Sequence, residues 1–297
     1  MAATDNSRFD AVIRTDEPMA RHTSWRTGGN ADIWFRPASR AELLEFMQTL
    51  APGTPMHWVG LGSNLLVRDG GVRGVVISVQ DALSDIEDID AQRVAVGAGV
   101  ACTVFARHCV RRQLGPAEFF AGIPGTIGGA LAMNAGAFGG ETWDQVESVD
   151  VIDRNGHVQT RSPEDYRVAY REVSGPVDEW FLGARFVFTD HYDTSMDKVK
   201  ALVNERREKQ PLGLPSCGSV FRNPPADHAA RLIEVAGLKG FAIGGAVVSE
   251  KHANFIINRD AATAADIEAL IQHVQATVKE QHGVELVREV HIIGEPA

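Results

Sequence analysis

Short apolar runs separated by polar turns fill the first third of the chain. Residues 31–36 (ADIWFR) read as a strand that stops at Pro37, and Ser39 then caps a helix to about Leu50. Residues 57–61 form another short strand leading into Gly62-Ser63-Asn64. The β-branched runs at 72–79 and 93–100, bounded by glycines, are two more. Residues 103–113 are helix-like, and a glycine-rich tract follows. Beyond it, 149–152 and 157–160 flank Arg154-Asn155-Gly156. The Asn-Gly pair predicts a hairpin with a type I′ turn, in which both residues take positive φ. Residues 181–188 make one further strand.

The pattern then changes character. Residues 196–209 are charged and helix-compatible and stop at Pro211, so a domain boundary is placed between about 190 and 215. Asp227 is the expected cap of a helix ending at Gly237, with Leu232, Ile233 and Ala236 on one face. Residues 246–248 and 254–258 read as strands. The clearest helix of the chain follows, with Ile267, Leu270, Ile271, Val274 and Val278 on one stripe, Thr263 as its cap and Gly283 as its stop. Residues 285–293 close the chain as a strand. The C-terminal third is a small α+β unit.

At 297 residues the chain is long enough for roughly two domains. Its 44% hydrophobic and 23% charged residues are the balance of an ordinary globular protein and exclude disorder for the bulk of it. A net charge of -10 argues against nucleic acid as a partner, since that affinity rests on clustered Lys and Arg. Cys102, Cys109 and Cys217 form no CxxC pair and have no metal-ligand spacing, which suits a reducing compartment without disulfides. The N-terminal stretch is polar and has no signal-peptide core. Residues 119–140 are uncharged, but seven glycines, Pro124 and Asn134 make a membrane helix a poor reading. The expectation is a soluble cytoplasmic protein, monomeric by default.

Two glycine-rich segments are candidates for phosphate binding. One is Gly60-Leu61-Gly62-Ser63-Asn64, directly after a strand. The other is Gly122-Ile123-Pro124-Gly125-Thr126-Ile127-Gly128-Gly129, continuing to Asn134-Ala135-Gly136. Without a Cβ, backbone N–H groups approach an anion closely, and successive N–H groups form an anion-binding nest. Ser63, Asn64 and Thr126 add side-chain donors. A pyrophosphate held by neutral donors needs no lysine, which fits an acidic chain. Neither segment matches the GxGxxG or GxxxxGK[ST] fingerprints, and each taken alone is equally a tight turn.

The conjunction of segments is more specific than any one of them. His22-Thr23-Ser24 to Gly28-Gly29, GLGSNLL at 60–66, GIPGTIGGALAMNAGAFGG at 122–140, Tyr170-Arg171, GSVFRNP at 218–224 and EVHIIG at 289–294 occur in this order. From about residue 20 to 295 the chain resembles the UDP-N-acetylenolpyruvoylglucosamine reductase family, the flavoenzymes that complete UDP-N-acetylmuramate for bacterial peptidoglycan. It looks like that family's shorter form. The resemblance implies an α+β fold: a two-subdomain FAD-binding part of the vanillyl-alcohol-oxidase/PCMH type and a C-terminal α+β substrate domain. The corresponding segments are 1–20, an FAD-binding domain at 21–190 split near 80, a connecting helix at 191–212 and a substrate-binding domain at 213–297.

The same resemblance implies the ligands and their residues. FAD would bind non-covalently along Gly60 to Asn64 and Gly122 to Gly129, and on to Asn134 and Gly136. Neither loop holds a His or Cys that would attach it. NADPH would serve as reductant and a UDP-sugar as substrate, using one site in turn. Arg171 would hold the substrate carboxylate, Ser219 would donate the proton and Glu289 would assist from the other side. Arg206, Lys209 and Asn223 fall at positions that contact substrate in relatives, and Tyr170 is a candidate contact to substrate or nicotinamide, with a core tyrosine as the alternative. Cys217, two residues from Ser219, would share its face on an extended segment and is a rival proton donor. Two departures stand out. The family's serine after Tyr-Arg-X is displaced to Ser174, and His291 stands where relatives often carry arginine. Two rival functions remain at this point: another flavoenzyme on the same scaffold, and a non-catalytic sugar-nucleotide binding module.

Overall fold

The computed structural model describes Phe9 and residues 12–297, so half of the segment expected at 1–20 lies outside the described residues. Its α-helices are α1 (Arg40–Thr49), α2 (Cys102–Arg111), α3 (Ile127–Met133), α4 (Met196–Lys209), α5 (Ala229–Val235) and α6 (Ala264–His282). Their ends follow from local chemistry. Ser39 accepts from the Glu42 N–H and starts α1, which buries Leu43, Phe46 and Met47. Thr263 and Asp266 cap α6 reciprocally, and Gly283 at φ +67° ends it. The stripe expected on α6 is the buried one, Ile267 to Val278.

By contacts the chain falls into two compact units, each assembled from separate stretches. Of the described residues, the first holds those up to 14, 34–60 and 75–205, and the second 15–33, 61–74 and 206–297. The consecutive segmentation read from the sequence therefore differs from these units: residues 15–33 and 61–74 group with the C-terminal stretch.

The first unit carries two clusters of apolar side chains. Phe9, Phe35 and Phe46 pack edge-on and face-on beside α1. The larger cluster lies on a five-stranded antiparallel sheet in the order Val158–Arg161, Val146–Asp153, Glu179–Val187, Arg93–Gly97 and Ile86–Asp88. Val94, Val96, Val149, Val151 and Phe186 of that sheet pack with Phe105 of α2 and Ile127 and Leu131 of α3. In the second unit, α5 and α6 cover an antiparallel sheet of Ala242–Ile243, Ala246–Val248 and Ile256–Asn258. Buried Trp25 joins this core and donates its Nε1–H to the Ile256 carbonyl at 2.8 Å. Leu65–Val67 pairs parallel with His291–Ile293.

Several local expectations are corrected. In the Arg154-Asn155-Gly156 loop only Gly156 takes positive φ, +84°. Asp153 Oδ1 accepts from the N–H groups of Asn155 and His157, closing a three-residue loop in place of a type I′ turn. The cap of α5 is His228; Asp227 is instead ion-paired to Arg231, and Asn223 Oδ1 accepts from the Ala229 N–H at 3.1 Å. The strand expected at 285–293 is regular only over His291–Ile293. Upstream, Val287 and Glu289 bond to the irregular stretch around Val220 and Arg222, which cannot sustain a ladder.

Candidate active site

Three carbonyls of the Gly60–Asn64 loop are engaged. Gly60 accepts from Gln80 Nε2 at 2.9 Å, Gly62 from the Ser24 N–H at 3.0 Å and Asn64 from the His291 N–H at 3.1 Å. Among the described residues, none of the N–H groups of Gly60, Leu61, Gly62 and Ser63 reaches a backbone carbonyl. Gly62 sits at φ +62°, and a Cβ there would lie 1.9 Å from the His22 carbonyl oxygen. Only glycine permits this turn, and the His22-Thr23-Ser24 motif is what it packs on.

The second tract is organised differently. Gly122 is pressed against Ala137 and Phe138, and Gly128 against Ala98. Thr126 caps α3, while the Ile127 and Gly128 N–H groups donate to the carbonyls of Val100 and Ala98 at 2.9 and 2.8 Å. Gly60 approaches Thr126 so closely that a Cβ would lie 2.6 Å from its Oγ1. The two glycine segments thus meet at Gly60 and Thr126. Consecutive backbone N–H groups without a backbone acceptor and a threonine hydroxyl are donors of the kind that an FAD diphosphate takes.

Arg171 stands on a platform at the end of α3. Asn134, at φ +47°, terminates that helix, and the short ladder of Gly136–Ala137 with Gly140–Glu141 follows. Tyr170 and Arg171 form the loop between Arg167–Ala169 and Glu172–Ser174, with Arg171 at φ +56°. A non-glycine residue in that region is strained by about 1–3 kcal/mol, a cost concentrated at functional positions. Arg171 Nη1 donates to the Asn134 carbonyl at 3.2 Å and Nη2 to the Gly136 carbonyl at 2.8 Å, and Glu141 Oε1 lies 3.5 Å from Nη1. The guanidinium also sits 4.8 Å from the Tyr170 ring centre. Sequence reasoning picked out Asn134, Gly136, Tyr170 and Arg171 but missed Glu141, whose one signal was its place directly behind the glycine tract. In the same hairpin Val173 packs on the core and Ser174 is exposed opposite Arg167.

In the second unit the backbone of Glu289 is bonded to Val220, the residue after Ser219. The Glu289 N–H donates to the carbonyl of Val220 at 2.8 Å, and the Glu289 carbonyl accepts from Asn64 Nδ2 at 3.0 Å. Asn254, 3% exposed, clamps the stretch after Ser219: Oδ1 accepts from the Phe221 N–H at 3.0 Å and Nδ2 donates to its carbonyl at 2.8 Å. Nothing in the sequence marked Asn254. Gly218 takes φ +68°, so the segment is not extended and the expected shared face of Cys217 and Ser219 is lost. Cys217 is buried, its Sγ near the carbonyls of Gly62 and Leu65, and burial pushes its pKa up to about 12. Ser219 remains partly open to solvent.

The other candidates are dispersed. Arg206 is half-buried with Nε on Gln210 Oε1 at 2.6 Å, and burial lowers its pKa. Lys209 is exposed at the end of α4, and Asn223 accepts from the first N–H of α5. The His291 ring keeps an exposed edge, while the protein around it and the charges of Arg222 and Arg288 lower its pKa below the ordinary imidazole value.

Comparison with known proteins supplies the decisive observation. The FAD binding domain model matches residues 31–162, and the model of the UDP-N-acetylenolpyruvoylglucosamine reductase C-terminal domain matches 210–293. The UDP-N-acetylenolpyruvoylglucosamine reductase of Alkalilimnicola ehrlichii is 57% identical over 296 residues, 99% of both chains. The Coxiella burnetii protein of that name is 48% identical over 309 aligned positions, covering 97% of this chain and 98% of the relative. The chain belongs to the UDP-N-acetylenolpyruvoylglucosamine reductase family. Within that family, the crystal structure from Thermus caldophilus shares the fold at a TM-score of 0.78 and 31% identity, over 94% of this chain and 99% of that one. Membership and the matched domain make this protein an FAD-dependent oxidoreductase of mixed α and β architecture. No helix among the described residues is long and apolar enough to cross a membrane.

Proposed function

We propose that this protein reduces the enolpyruvyl ether of UDP-N-acetylenolpyruvoylglucosamine to UDP-N-acetylmuramate in the cytoplasm, acting as a monomer with NADPH as the electron source. Near full-length identity to reductases of that name is the observation that carries the reading. The FAD diphosphate is held non-covalently by the outward donors of Gly60 to Ser63, with Asn64, and by the Gly122–Gly129 tract with Thr126. The contact of Gly60 with Thr126 supports one shared cradle. Asn134 and Gly136 border it through the Arg171 platform. When bound, FAD supplies the hydride that reaches the terminal carbon of the substrate double bond.

The chain's own residues manage the charge and the proton. Negative charge develops on the carbon next to the substrate carboxylate and spreads onto it. Arg171 faces that carboxylate; a cation at ~4 Å contributes ~4 kcal/mol at an effective dielectric near 20. Ser219 gives its hydroxyl proton to the carbon, a weak acid matched to a strongly basic enolate, and Glu289 stabilises the same region from the strand end. Cys217 takes no part, because its Sγ is enclosed against the carbonyls of Gly62 and Leu65, away from solvent and substrate. Tyr170, Arg206, Lys209 and Asn223 contact the sugar nucleotide. Asn223 does so through Nδ2, since its Oδ1 is engaged at α5.

The test is an anaerobic flavin spectrum of the purified protein, reduced with NADPH and then given UDP-N-acetylenolpyruvoylglucosamine. Prompt return of the oxidised flavin band is the expected result. A flavin that stays reduced refutes the substrate, and one that NADPH does not reduce refutes the reductant. Ser219→Ala is expected to slow reoxidation by ~10²–10⁴-fold, the range for a general acid, while Cys217→Ala stays near wild type. The reverse ranking would overturn the proton-donor assignment.

A further inference from the structure

We infer that Glu141 is a positioning residue for Arg171, acting through Asn134; this rests on the carboxylate-holding part assigned to Arg171 above. Three observations converge. Glu141 Oε2 accepts from Asn134 Nδ2 at 2.8 Å, and Asn134 Oδ1 accepts from the Trp143 N–H at 3.1 Å, so the asparagine is fixed on both sides. Its own carbonyl then receives Arg171 Nη1, and the same Asn134 Nδ2 reaches the Ala169 carbonyl, one residue before the Tyr170-Arg171 loop. Finally, Glu141 stands opposite Gly136 in the short ladder, and the Gly136 carbonyl receives Arg171 Nη2.

Gly136 shows how tightly the three groups are fitted. A Cβ there would lie 3.1 Å from Arg171 Nη1 and 3.2 Å from Glu141 Cγ. Glu141 is also held in a capping box, its N–H donating to Asp144 Oδ2 at 3.3 Å and its side chain accepting in return from the Asp144 N–H, which fixes the carboxylate beside Asn134 and Arg171. The direct ion pair at 3.5 Å is longer than the Asn134 hydrogen bond, so the hydrogen bond is the stronger restraint. Since Arg171 holds a strained φ, its side-chain anchors decide where the guanidinium stands. A misplacement near 1 Å is enough to cost ~10²-fold in rate.

The experiment compares holoenzyme variants Glu141→Ala and Glu141→Gln in two half-reactions and in calorimetric binding of UDP-N-acetylenolpyruvoylglucosamine to the oxidised protein. Glu141→Ala is expected to weaken that binding and to slow reoxidation of the reduced flavin by ~10²-fold. Flavin reduction by NADPH should stay within about twofold of wild type, because Arg171 meets only the substrate carboxylate. Glu141→Gln keeps an acceptor for Asn134 and should recover about tenfold of the loss, the worth of one net hydrogen bond. Unchanged reoxidation in Glu141→Ala, or equal losses in both half-reactions, overturns the inference. So does a glutamine variant as impaired as the alanine one, and glutamine settles the matter should the alanine protein not fold. If wild-type reduced flavin is itself not reoxidised by this substrate, the functional reading falls and this inference with it. Wild-type turnover with an unaffected Glu141→Ala removes this inference alone.

Discussion

In the loop from Gly60 to Asn64 three carbonyls are engaged while the N–H groups of Gly60 to Ser63 reach no backbone carbonyl among the described residues; in the tract from Gly122 to Gly129 several N–H groups are engaged within the fold. The first is a nest of donors. The second is a packing seam, with Gly122 against Ala137 and Gly128 against Ala98, that then becomes the first turn of α3. Glycine therefore has two separate uses here, one to expose donors to an anion and one to let backbone segments touch. The two uses join at Gly60, which needs no Cβ because Thr126 fills that space.

The most severe way to break this contrast is Gly62→Ala. At φ +62° an L side chain is strained by about 1–2 kcal/mol, and its Cβ would sit 1.9 Å from a backbone oxygen that cannot move alone. The nest would lose its shape, and the protein is expected to purify colourless, without retained FAD. Bound flavin at wild-type stoichiometry, read from the visible spectrum, would show that the nest is not the anion site.

A smaller effect is expected from Gly60→Ala, whose new Cβ would meet Thr126 Oγ1 at 2.6 Å. The hydroxyl must turn away, and α3 loses its cap at a cost of about 0.5–2 kcal/mol. In a Thr126→Ala background the same substitution should cost almost nothing further, because the cap is already gone. Additive losses in thermal denaturation would mean the two glycine segments do not meet as described.

The sequence was most legible where local chemistry is self-sufficient. The apolar stripe from Ile267 to Val278 with Thr263 and Gly283 at its ends specifies α6 locally, and α4 runs over its expected residues, Met196–Lys209. Legibility fell where partners are distant along the chain. Residues 15–33 and 61–74 group with the C-terminal stretch through contacts that leave no periodic signal, Trp25 to Ile256 among them. The strand Ile13–Pro18 escaped notice because its Arg14, Thr15 and Asp16 are exposed and show no apolar alternation. Among the candidate residues, Arg171, Ser219 and Glu289 were named through motif resemblance. Glu141 and Asn254, which hold Asn134 and Phe221 in place, are ordinary polar residues until the fold sets them there. Gly218 misled for a related reason: its positive φ rotates Cys217 away from Ser219, and spacing does not reveal φ.

The finest test of the contrast is Gly129→Ala, where stability and cofactor binding should move in opposite directions. Gly129 lies inside α3, and a Cβ there would meet nothing closer than Thr126 Oγ1 at 3.7 Å, an ordinary contact. Alanine is preferred over glycine in a helix by about 0.5–1 kcal/mol, so the flavin-free protein should melt at a slightly higher temperature. The space left open beside Thr126 is also where the proposed FAD diphosphate approaches the second tract. A methyl group placed there should weaken FAD affinity, read by fluorescence titration, even as the flavin-free protein becomes more stable. If stability rises and FAD affinity is unchanged, the second tract contributes packing alone and Gly60 to Ser63 hold the diphosphate by themselves. If stability falls, the open space is not open, and the separation of the two uses of glycine fails at this position.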